Sequence, residues 1–155
     1  MKRLFLLVFA LTLLLAGCSR QSREPHSFEK MVSDISSTYG EEKGFTRADR
    51  DFVETNFGTP SCVRESAVFL SDTGEIGIFY LSDAKYATDI KESIEAYLAM
   101  EREAVVSLAE LYPADELSAR LARFDSARVD AVGNIVYYYT LDAKEADAVQ
   151  KLFGN

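Results

Sequence analysis

Gly74-Glu75-Ile76-Gly77-Ile78-Phe79-Tyr80-Leu81-Ser82-Asp83-Ala84-Lys85 reads as a turn, a strand and the start of a helix. The pattern returns as Gly133-Asn134-Ile135-Val136-Tyr137-Tyr138-Tyr139-Thr140-Leu141-Asp142-Ala143-Lys144. Gly74 and Gly133, Ile76 and Ile135, Tyr80 and Tyr139, and Asp83 and Asp142 are each 59 residues apart. A constant offset through strand, boundary and helix start suggests a duplicated supersecondary unit. In the first copy Ile76, Ile78 and Tyr80 share one face, and Gly77, Phe79 and Leu81 the other. Both faces are apolar, so both are expected to be covered.

Working outward, a strand over about 62–71 precedes the first copy, with Asp72-Thr73-Gly74 as the turn. A half-buried strand near 127–131 precedes the second, and Gly133-Asn134 is a hairpin signal. Asp83 is a natural cap for a long helix that runs toward Leu111. Its stripe of Ile90, Ile94, Tyr97, Leu98, Leu108 and Leu111 is interrupted by Glu101, which reads as a bend, an exposed turn or a buried functional carboxylate. Pro113 breaks that helix, and Leu117, Leu121 and Phe124 mark a short one after it. Asp142 caps the last helix and Gly154 closes it. At the other end, Phe28, Met31, Ile35 and Tyr39 predict a helix over 28–39 that Gly40 stops. Thr46-Arg47-Ala48-Asp49 fits a capped helix start, with Gly58 and Pro60 ending that helix. The expected fold class is α+β. Two strand–strand–helix units form one four-stranded antiparallel sheet with helices packed on it, plus N-terminal helices.

Residues 1–18 set the expected location. Lys2 and Arg3 precede an apolar run from Leu4 to Leu15, too short to span a bilayer. Small residues follow, which together define a secretory leader. The ending Leu15-Ala16-Gly17-Cys18 resembles the bacterial lipoprotein motif, in which the cysteine becomes the lipidated first residue. An ordinary leader with a chance cysteine, or a short anchor helix, are the competing readings. Two or three acyl chains hold stably where one is marginal, at about 0.8 kcal/mol per buried methylene. The expected organisation is a signal peptide over 1–17, a lipidated Cys18 with a tether to residue 27, and one domain over 28–155. The tether contains His26, the single histidine of the chain.

The sequence carries 17 basic and 25 acidic side chains; loss of Lys2 and Arg3 with the leader leaves 15 basic, a net charge of −10. Such a surface repels phosphate backbones, which sets nucleic acid aside as a partner. No nucleophile–base pairing, metal-ligand spacing or phosphate loop is legible, so no catalytic residue, metal site or cofactor is assigned. Cys62 is expected to be a small buried hydrophobe at the start of a strand. The candidate binding residue is Tyr138. Alternation turns it away from Tyr137 and Tyr139, toward a possible aromatic platform, with ordinary strand packing as the alternative.

Several features together resemble the bacterial lipoprotein family known as domain of unknown function 4358. They are the leader, Val68-Phe69-Leu70 before a turn, Ile78-Phe79-Tyr80 before a helix beginning Asp83-Ala84, the Tyr112-Pro113 break, and Gly133-Asn134-Ile135-Val136 before a final helix. The resemblance runs from Phe45 to Phe153 in loose motifs. It implies a cell-surface location in Gram-positive bacteria and no mechanism. The expected function is therefore a lipid-anchored binding or accessory module on the extracytoplasmic face of the cell membrane. Its partner is an envelope protein, glycan or small ligand. An envelope enzyme with an unrecognised active site is the alternative.

Overall fold

The computed structural model describes residues 27–58 and 60–153. The leader, Cys18, the tether through His26, and Gly154 lie outside the described residues. Helix α1 (Phe28–Tyr39) is followed by strand β1 (Thr46–Arg47), helix α2 (Arg50–Phe57) and the hairpin β2 (Val63–Ser71) and β3 (Gly74–Leu81). Helices α3 (Ala87–Ser107) and α4 (Ala114–Asp125) come next. A second hairpin, β4 (Arg128–Val132) and β5 (Ile135–Tyr139), leads into α5 (Ala143–Leu152). The strands form one antiparallel sheet in the order β1-β2-β3-β5-β4.

The sheet has five strands where the sequence predicts four. The extra one comes from Thr46 and Arg47, which pair with Leu70 and Phe69 at the sheet edge instead of opening a helix. The cap lies three residues later, where Asp49 Oδ1 accepts from the Phe52 N–H at 2.8 Å. A β-branched threonine beside a long neighbouring strand gains more from pairing than from capping. Asp83 likewise caps a short 3-10 turn at Ala84–Tyr86, and α3 begins after it. Asp142 does cap α5, accepting from the Glu145 N–H at 2.9 Å.

The central strands pair about Ile78 and Tyr137, so that Ile76 meets Tyr139 and Tyr80 meets Ile135. Positions 59 apart thus exchange places across the pair and point to the same side. The helices that follow the two hairpins diverge. Val149 of α5 and Phe153 just after it join α1 on the Ile78–Tyr137 face, whereas Ile90, Ile94 and Tyr97 of α3 cover the Phe79–Tyr138 face. Phe153 stacks on Tyr137 with ring centroids 3.8 Å apart, and the Tyr39 hydroxyl donates to the Glu145 carbonyl at 2.9 Å, tying α1 to α5. Gly133 sits at φ 59° in the two-residue turn of the second hairpin, a conformation glycine adopts without steric cost.

The long helix ends earlier than its stripe predicts. Leu108 and Leu111 are exposed, at 44% and 75%. A 21-residue helix is about 31 Å long. The eight residues of β3 extend about 26 Å. The helix is thus longer than β3 by about one turn, and Leu108 and Leu111 lie past its end, outside both buried clusters.

Candidate functional site

Two features stand out on the face covered by α2, α3 and α4, and they share a wall. The first is a half-buried carboxylate. Glu75 is the second residue of β3, opposite Leu70, and points, like Gly77 and Phe79, toward α3. The Tyr97 hydroxyl donates to both its oxygens, at 3.2 and 3.1 Å, and the Tyr138 hydroxyl donates to Oε2 at 3.1 Å. Its backbone is held as well. The Glu75 N–H donates to Thr140 Oγ1 and the Thr140 N–H to the Glu75 carbonyl, both at 3.0 Å.

Burial pushes the Glu75 carboxyl above the ordinary glutamate value. The two phenol donors pull it back, the charge of Glu101 adds to the rise, and Arg123 opposes it. Burial, and then the Glu75 charge, raises both Tyr97 and Tyr138, so the phenols remain protonated donors. Because the folded carboxyl keeps its proton to a higher pH than the unfolded chain does, folding takes up a proton between the two values. That stabilisation is whole below the unfolded value and is lost as pH rises through the folded one. Glu75→Gln should abolish this term. In urea unfolding from about pH 4 to about pH 8, the wild type should lose stability relative to the variant as pH rises. A stability difference that stays constant with pH would contradict the raised carboxyl.

The second feature is a cleft of about 630 Å³ between α2, β2 and the first half of α3. Val53, Phe57, Phe79, Ile90 and Ile94 supply its apolar lining, and Arg47, Arg50, Arg64, Asp49, Glu54 and Glu65 its charges. Phe57 and Phe79 separate it from the carboxylate. Phe57 lies 4.6 Å from Tyr97, 5.8 Å from Tyr138 and 5.1 Å from Phe79, centroid to centroid. Arg50 pairs with Glu54, and Asp49 is engaged as the α2 cap.

The residues singled out from sequence fall in different places. Tyr138 does point away from Tyr137 and Tyr139, but it is fully buried, and the exposed platform does not exist. Helices α2 and α3 cover that face of the sheet, so its ring is core and its hydroxyl serves Glu75. Cys62 is half-buried and packs against the same core, just before β2 begins, rather than being fully enclosed. Glu101 is half-buried, one turn beyond Tyr97, and its charge reaches Glu75. Sequence reading missed Glu75, although parity alone places it on the face of Gly77, Phe79 and Leu81, as the acid at the head of an apolar row. Among the described residues no group of three His, Cys, Asp or Glu side chains is placed to hold a metal ion. Comparison with family models, with curated proteins and with solved structures found no match.

Proposed function

We propose that this chain is a lipid-anchored module on the extracytoplasmic face of a bacterial membrane and that it binds an envelope ligand in the α2–β2–α3 cleft. The leader and the Leu15-to-Cys18 motif support the anchor, as does the resemblance to the lipoprotein family of domain of unknown function 4358. Among the described residues no helix is long and apolar enough to cross a membrane. The observation that carries the binding reading is the cleft itself, a concave, apolar-floored space of about 630 Å³ with convergent charged groups at its rim. Ligand sites have that size and character.

Two variants test the two halves. Cys18→Ser should abolish lipid labelling and leave the protein as an unprocessed precursor or in the soluble fraction. Unchanged labelling would refute the anchor. Ser93 is exposed on α3 at the cleft, so Ser93→Trp should fill the space without disturbing the core. The folded wild type should bind the apolar anionic dye anilinonaphthalene sulfonate, and the variant should bind it about tenfold more weakly at an unchanged Tm. Equal dye binding by both would refute the cleft.

The alternative of an envelope enzyme draws on one observation, the raised Glu75 carboxyl, since perturbed acids gather at active sites. Both hydroxyls that touch this carboxylate belong to rings packed in the core, which supports a structural role for Glu75.

A further inference from the structure

Among the described residues nothing pairs with the edge of β2 where it borders the cleft. β1 pairs only through Thr46 and Arg47, and the Ala48 N–H then closes the ladder on the Val68 carbonyl at 2.8 Å. Beyond that point the chain turns away into α2, and Val63, Arg64, Glu65, Ser66 and Ala67 all line the cleft. Consecutive strand residues send their side chains to opposite faces, and Ala67 indeed belongs to the core on the far side. A cavity that touches all five must run along the strand's edge.

The direction of the free groups follows from β3. The Glu75 carbonyl and the Leu81 N–H bond toward β5, to Thr140 and Asn134. Phe79 has the same parity and turns the same way, so its partner Ser66 turns its own N–H and C=O outward, into the cleft. Among the described residues the Ser66 carbonyl receives only the long reach of Arg47 Nη2, at 3.4 Å. The register slips between Val63 and Glu65, which limits an added strand to a few residues.

Resting on the cleft as binding site, we propose that its ligand is an extended acidic–apolar peptide that adds to the outer edge of β2 as a short strand. The backbone of such a peptide would meet Ser66, and alternate apolar side chains would enter the floor at Phe79, Ile90 and Ile94. The charges select an acidic partner. Glu54 is taken by Arg50 and Asp49 by the α2 cap; of the lining charges that remain, Arg47 and Arg64 outnumber Glu65, and none of the three has an ion-pair partner among the described residues. These two positive side chains stand on a protein of net charge −8.

The probe is a capped seven-residue peptide of alternating valine and glutamate, titrated up to about 1 mM and followed by fluorescence anisotropy and amide NMR. Binding should protect the Ser66 amide. Lysine in place of glutamate should weaken binding about tenfold or more. Backbone N-methylation of the peptide should do the same on the unaltered protein. Ser66→Pro removes an N–H that the β2–β3 ladder does not use, so it should keep the fold, read as an unchanged Tm, and lose the peptide.

No peptide binding, or binding untouched by both Ser66→Pro and N-methylation, overturns strand addition, and the dye then decides separately whether the cleft binds anything. A dimer that Ser66→Pro converts to monomer would assign the edge to a second copy and also overturn the proposal.

Discussion

Tyr138→Ala is expected to lower stability by about 3–5 kcal/mol, the range for emptying an aromatic site in a core. Tyr138 is fully buried and touches Phe57, Phe79 and Tyr97 at centroid distances of 5.8, 6.5 and 6.3 Å. Truncation would remove those contacts and open a cavity beside Phe57, which anchors α2. It would also strip one of the two phenol donors from Glu75, leaving a half-buried carboxylate less well satisfied. A natural domain has only about 5–15 kcal/mol in hand, so such a loss consumes much of it. Tyr138→Phe separates the two effects. It keeps the ring and loses the hydroxyl, for an expected cost of about 1–3 kcal/mol. Urea unfolding of the three proteins measures both. A Tyr138→Ala protein as stable as the wild type would remove this ring from the core and restore the exposed platform that the three tyrosines suggest in sequence.

The misplacement of Tyr138 shows where sequence stops. Alternation along Tyr137, Tyr138 and Tyr139 correctly sends the middle ring to the opposite face, because the two-residue period of a strand is local geometry. What covers that face is decided by α2 and α3, which arrive from 81 and 41 residues upstream at Phe57 and Tyr97. The same limit explains Glu75. Its parity is legible, but its partners are Tyr97 and Tyr138, 22 and 63 residues away. Helix α1 could be read to the residue, since Phe28, Met31, Ile35 and Tyr39 and the stop at Gly40 are all short-range signals. The reading of Thr46 as a helix start fails for a physical reason. A threonine three residues ahead of an acid fits the capping pattern, but the long β2 beside it draws Thr46 and Arg47 into an edge strand, and that neighbour is not local in sequence. The cleft has no sequence signature, because it is a gap left between α2 and an edge that β1 abandons after two residues.

Gly77→Ala should be destabilising by about 1–3 kcal/mol, an overpacking cost at a site with no backbone objection to alanine. Gly77 lies in mid-strand between Val68 and Tyr138, and its φ is not positive. The obstacle is the ring. A Cβ on Gly77 would stand 2.0 Å from Tyr138 Cε1 and 2.7 Å from Cδ1, so the tyrosine lies flat across the bare glycine backbone. The ring has no easy retreat, because Phe57 and Phe79 hold its sides and Glu75 holds its hydroxyl. The cost should therefore depend on Tyr138. With Tyr138→Ala already present the clash vanishes, and the same Gly77→Ala change should become neutral or stabilising by up to about 1 kcal/mol, since alanine restricts the unfolded chain. A double-mutant cycle in urea reads this change of sign directly. An equal cost in both backgrounds would locate the strain in the backbone of β3 and not in the contact between this glycine and the ring above it.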